Sequence, residues 1–207
     1  MRRKSILFLL VIVAALAAYI RAQQSEGRTV EAEAFVLRNP KGQELARLAN
    51  LNNGPALQMR DKEGRLRVSV HVSSSGATYF QLFDSNETSR VGIAVSKEGE
   101  PTIDMEDSAG QTRINIMVDN DQPAIAIYDG KGMSRAEIQV DEKGPFFRLL
   151  DPNGRNRLAL ALHPESSFVT LYDVTGKQGA TLSSNNSGGG QVTLYDTSQK
   201  VTFRKPD

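Results

Sequence analysis

The chain has 207 residues, 39% of them hydrophobic and 24% charged, which excludes a disordered chain. Lys and Arg number 25 against 24 Asp and Glu, so no bulk field recruits nucleic acid or another polyanion. Cysteine is absent, which rules out disulfides, thiolate metal sites and cysteine nucleophiles together.

Residues 1–22 open with Arg2, Arg3 and Lys4 and continue without charge from residue 5 to residue 20. This is the charged and then apolar order of an export signal. The apolar run falls short of the ~20 residues of a comfortable membrane span, which favours cleavage. The small-x-small match Ala15-Leu16-Ala17 lies inside the run, however, and Ala22 has Ile20 three residues upstream, so an uncleaved anchor stands beside the cleaved signal. Either way the body is expected outside the cytoplasm, secreted, periplasmic or anchored. Residues 23–33 are polar and patternless and read as a tether.

From residue 34 the chain is built of repeats. The turn openers Asn39, Asp61, Asp84, Asp107, Asp129, Asp151, Asp173 and Asp196 follow one another at intervals of 22 or 23 residues. Gly stands three residues after six of them, as at Gly64 and Gly154, and Arg stands six after five of them, at Arg67, Arg90, Arg113, Arg135 and Arg157. Eight such units fill residues 34–204, leaving a polar tail at 205–207.

Within a unit, apolar residues stand two and four before the Asp (Phe147 and Leu149 before Asp151) and one, three and five after the Arg (Leu158, Leu160 and Leu162 after Arg157). Both series alternate with mostly polar residues, as two strands with one apolar face must. Asp-x-x-Gly supplies a turn, since the Asp oxygen accepts turn N–H groups and Gly takes the positive φ that closes it. A four-residue loop at 151–154 places Phe147 opposite Leu158, and one at 141–144 places Ile138 opposite Phe147. Both keep the apolar series on one side, expected to face inward. In the 23-residue units the extra residue falls in the loops 73–77 and 96–100.

The fold class is therefore all-β, an antiparallel hairpin meander of about eight two-strand units that coils, packs on itself or associates with other chains. The rival is a β-solenoid, in which like-charged Asp would stack at ~4.8 Å. On the second face the same pairing sets Arg113 opposite Tyr128, Arg157 opposite Tyr172, Arg135 opposite Leu150, Arg67 opposite Phe83 and Arg90 opposite Glu106. The Arg column reads as structural shielding, its stems lying over rings and Leu.

Residue types that carry chemistry do not converge. Neither the EF-hand spacing nor the nonapeptide of calcium-binding β-rolls is present, so the Asp column reads as turn caps. His71 and His163 stand alone, and the serines of 73–75 and 183–190 lie in loops without a nucleophile elbow. The 183–190 stretch reads as a long flexible loop. Tyr128, Tyr172 and Tyr195 each precede a turn Asp and form a candidate ligand stripe.

The functional expectation is a non-enzymatic, exported or membrane-anchored scaffold, spacer or protein-interaction surface. It needs no cofactor or metal. Its partner is a protein or cell surface, self-association included, with the membrane reached through residues 1–22 if these are uncleaved. The alternative is a carbohydrate- or ligand-binding module using the Tyr stripe. An enzyme with a loop-built site comes third. The last unit lacks the turn Gly (Gln199) and the Arg (Thr202), and its polar end reads as a cap against edge pairing.

Overall fold

A computed structural model describes residues 29–51, 54–185 and 187–206. The expected export segment, and residues 23–28 of the expected tether, lie outside the described residues. Residues 29–33 are exposed and irregular. The strands belong to one compact unit, residues 34–207. In chain order they are β1 (Ala34–Arg38), β2 (Glu44–Leu51), β3 (Gly54–Arg60), β4 (Leu66–Val72), β5 (Thr78–Phe83), β6 (Ser89–Val95), β7 (Pro101–Glu106), β8 (Thr112–Asp119), β9 (Gln122–Tyr128), β10 (Ser134–Asp141), β11 (Gly144–Leu150), β12 (Asn156–His163), β13 (Ser166–Tyr172), β14 (Gln178–Asn185), β15 (Gly190–Tyr195) and β16 (Val201–Lys205). No helix occurs among the described residues.

The sixteen strands form one open antiparallel sheet in strict sequence order, and each packs only against its neighbours in the chain. This is the hairpin meander, and it excludes the solenoid, because the two strands of each unit hydrogen-bond to one another. Along one edge lie the turns opened by Asn39 and the seven Asp residues. Along the other lie alternating loops such as 73–77, closed by the Ser73 N–H on the Ala77 carbonyl at 2.8 Å. That loop and 96–100 absorb the extra residue of their units, as the repeat count requires.

Register follows the sequence pattern on one edge and departs from it by two residues on the other. Ile138 pairs with Phe147 and Val140 with Pro145, as expected. Across the Asp151 turn, however, Phe147 pairs with Leu160 and Leu149 with Leu158. Two one-residue slips add up here. The Gly154 N–H donates to the Asp151 carbonyl at 3.0 Å and the Asp151 N–H to the Arg155 carbonyl at 2.8 Å, a type I turn completed by a glycine bulge. A second irregularity lies between Leu149 and Leu150. Since side chains alternate with period two, a slip of two residues leaves each on its own face. All eight hairpins of this edge carry such an irregularity, and those of the other edge carry none.

Paired apolar residues therefore run in unbroken rows across the sheet, one from Leu57 through Phe80, Ile116 and Phe147 to Val192. They do not face inward. Ile93 is 43% exposed, Ile138 50% and Leu171 51%, whereas on the opposite face Thr170 is 2% exposed, Thr193 3% and Ser69 5%. The only buried hydrophobic side chains among the described residues are Ala56, Ala77, Ala126 and Ala161. The reason lies in the connections. Tight hairpins lay each strand beside the last, and no connection is long enough to carry the chain over the sheet as a second layer.

Two glycines outside the Asp turns are required by close approach. A Cβ on Gly144 (φ 127°) would lie 2.0 Å from the Leu162 carbonyl oxygen, and one on Gly54 (φ 122°) 2.2 Å from that of Val72. Gly154 (φ 75°) has only the Met133 methyl nearby, at 3.9 Å. Gly144→Ala should cost about 2–4 kcal/mol, from positive φ plus backbone clash, and Gly154→Ala about 1–2 kcal/mol from φ alone. Urea unfolding of the two variants checks the order, and equal costs would refute it.

Candidate interaction surfaces

The Asp edge is a ladder of identical polar clamps. In every turn the opening side-chain oxygen Oδ1 accepts two backbone N–H groups, from the residues two and four further on. Asp107 takes those of Ala109 (2.8 Å) and Gln111 (3.1 Å), and Asp151 those of Asn153 (2.8 Å) and Arg155 (3.1 Å). Asn39 does the same through its amide oxygen, from Lys41 and Gln43. At five of the seven aspartates the second carboxylate oxygen holds an arginine. Arg135 donates to Asp129 at 2.8 Å, Arg113 to Asp107 and Arg90 to Asp84 at 3.4 Å. Asp151 takes Arg155 in that place, at 2.9 Å. Asp61 takes Arg65 at 2.9 Å and Arg67 at 3.5 Å.

Four of these arginines, together with Arg157, reach into the next unit. Arg67 donates to the Phe83 carbonyl at 2.9 Å, Arg90 to Glu106 at 2.9 Å, Arg135 to Leu150 at 3.4 Å, Arg157 to Tyr172 at 3.0 Å and Arg113 to the Asp129 carbonyl. Four of these five acceptors are the residues that the sequence pairing sets opposite, but the contact is to backbone oxygen and not to a ring. The one arginine described over a ring is Arg148, 5.5 Å from the Phe146 centroid. The arginines thus tie successive hairpins together.

Two turns use a side chain at positive φ where the others use Gly. Glu87 (φ 60°) accepts the Leu66 N–H at 2.6 Å, and Gln199 (φ 65°) bridges to both the N–H and the carbonyl of Gln178, at 3.1 and 2.9 Å. Each side chain binds the preceding hairpin and offsets backbone strain of about 1–2 kcal/mol. Only the missing glycine was visible in the sequence. The bridges depend on 21-residue contacts that no local pattern contains.

On the polar face Asn115 donates to Asp104 at 2.8 Å, Glu137 pairs with Arg148, and Thr170 meets Thr181 at 3.2 Å. His71 stacks on Tyr79 (4.8 Å) and contacts the Ser69 hydroxyl at 3.3 Å, while His163 meets Phe168 edge-on, so the two histidines sit in separate aromatic contacts. Among the described residues no group of three His, Asp or Glu side chains is arranged to hold a metal.

Tyr128, Tyr172 and Tyr195 end β9, β13 and β15 on this face and are half-buried. The equivalent place on β11 is taken by Leu150, so Tyr128 stands four strands, roughly 19 Å, from Tyr172, and Tyr172 stands two strands, roughly 10 Å, from Tyr195. They share an edge but do not form a continuous platform. Burial, with Glu137 and Asp104 nearby, pushes the Tyr128 hydroxyl above its usual pKa. The 183–190 stretch is less of a loop than its composition suggests. Ser183 and Ser184 lie in β14 and Gly190 opens β15, with Ser184 paired to Gly190. Beside it lies a concavity of about 570 Å³ lined by Thr170, Thr181, Ser183 and Gln191 with the rings of Phe168 and Tyr195. The opposite face holds a shallow apolar groove of about 470 Å³ among Ile93, Ile103, Ile116, Ile125 and Ile138.

Backbone N–H groups hold three of the turn carboxylates below the usual range, chiefly that of Asn86 at Asp84, Gln111 at Asp107 and Lys131 at Asp129. At Asp173 the Thr175 hydroxyl is the first cause. A carboxylate depressed in the folded state gives stability that is complete above its unfolded pKa of about 3.9 and is lost as pH falls through the folded value. Melting temperature should therefore be flat between about pH 5 and 7 and drop below about pH 4. Asp129→Asn, which keeps an oxygen for the turn but loses the charge, should melt higher than Asp129→Ala and fall less steeply in acid than the unmodified chain. Thermal melts across pH check both, and an Asn variant as weak as the Ala variant would refute the turn role. No protein-family model matches this sequence, and a comparison with curated proteins finds no significant match.

Proposed function

We propose that this chain is a non-enzymatic scaffold that works outside the cytoplasm and presents its sheet as a protein-interaction surface. The observation that carries the reading is the apolar face, whose rows stay solvent-exposed while the opposite face carries hydrogen bonds and ion pairs of its own. Contiguous exposed apolar surface of this extent marks a binding surface in a protein that must remain soluble. The repeated clamps support a non-catalytic role as well. In each turn one side-chain oxygen is taken by backbone N–H groups, and at five of the seven aspartates the other meets an arginine, whereas catalysis asks unlike groups to converge on one place with free valence. Export rests on the basic and then apolar start of the sequence.

Two measurements test the reading. A full-length fusion to a reporter that matures only outside the cytoplasm should be active, and deletion of residues 2–20 should silence it; activity without those residues would overturn export. Ile93→Asp together with Ile138→Asp should preserve β-sheet circular dichroism while removing the adducts that the unmodified chain forms with a lysine-directed cross-linker in intact cells. Unchanged adducts would overturn the interaction surface.

A second reading, carbohydrate binding, is favoured by the concavity beside Tyr195, whose hydroxyl, amide and aromatic lining is uncharged. A glycan screen should then show binding that Tyr195→Ala abolishes and Tyr128→Ala spares; a blank screen removes this reading.

A further inference from the structure

We infer that the apolar face is covered by the same face of a second copy of this chain, giving a two-layer sandwich with both polar faces outside. This rests on the interaction-surface reading above and names the partner.

The face is uncharged from Phe35 and Leu37 on β1 to Leu194 on β15, with Lys205 at its far corner. A partner that offered charges there would bury them unpaired, at a cost of several kcal/mol each. Sixteen strands about 4.8 Å apart, with apolar side chains along about 14 Å of each, give a face of roughly 1,000 Å². A stable interface needs about 800 Å² from each partner, so one copy of the face is enough for one more copy.

Shape selects a copy of the same chain over other apolar partners. The hairpin unit repeats every second strand, about 9.6 Å, and a second copy presents the same spacing, so that its ridges can lie in the first copy's grooves. Twist adds to this, because two sheets of one hand pack aligned at about −30° with layers about 10 Å apart. The exposed apolar side chains of each copy, Ile93 (43%), Ile116 (38%) and Ile138 (50%) among them, would then form the core that the single chain lacks. Such an interface is isologous and closes on itself, which ends growth at two copies.

The test places a photo-cross-linking residue, one site at a time, at Ile93, Ile116 or Ile138 in the full chain, co-expressed with a copy that carries a different tag. The same probe one residue later, at Ala94, Met117 or Gln139, reports the opposite face of the same strands in the same fold. Adducts of twice the chain mass that carry both tags are expected from the three isoleucine positions and not from their neighbours. Two-tag adducts from both sets alike would overturn face-to-face pairing. Apolar-face adducts to a different protein would sink self-pairing and leave the interaction surface standing, whereas no protein adduct from either set would sink both.

Discussion

A side-chain oxygen that accepts two backbone N–H groups is the device on which the rest of this sheet depends. It opens each of the eight turns, at Asn39 and at seven aspartates, and it fixes where the chain reverses. Once it is formed, the bulge follows, the register of the two strands is set, and at Asp61, Asp84, Asp107 and Asp129 the second carboxylate oxygen holds an arginine that also reaches a carbonyl of the next hairpin. There a local turn becomes a link between units. Turn geometry and inter-unit cohesion therefore come from the same few atoms, and the contribution of each clamp to stability is modest and repeated rather than large and singular.

The sheet leaves its apolar rows in water, and this governs how its function is read. A soluble antiparallel sheet ordinarily buries one face against something. Here the described residues contribute no second layer, because every connection between strands is a tight hairpin. The polar face carries its own pairs, with Asp104 on Asn115, Glu137 on Arg148 and Thr170 on Thr181. The apolar face has no such cover among the described residues. The scaffold reading and the pairing of two copies both answer that one deficit, and both leave the clamped edge and the tyrosines at the surface.

Much of this fold was legible in the sequence, because its rules are local. The interval between aspartates gave the hairpins, and alternation gave the faces. The Ser73 and Ser96 loops fell where the extra residue had to go. What the sequence hid were effects that need a third strand or a second chain. The two bulges at each Asp turn cancel in parity, so a four-residue loop sorted the faces correctly while misplacing the partner of Phe147. The direction of burial was hidden for a related reason: alternation shows which residues share a side but not whether anything covers it. The arginines were placed opposite the right residues, yet their target, a backbone oxygen, leaves no trace in residue type. The tyrosines share one edge, as their place before the turn Asp implies, but Leu150 takes the equivalent place between Tyr128 and Tyr172.

Contact between chain neighbours alone also decides how such a molecule can come together and come apart. No strand waits for a distant segment, so every hairpin can close using residues adjacent to it, and loop-closure entropy stays small throughout. Assembly can begin at any unit and spread to either side, and loosening begins at β1 or β16, where one flank has no mate. A whole unit gained or lost would shift the ends and leave every remaining contact intact. Length is then a freely adjustable quantity, and the reach of the molecule scales with the number of its turns.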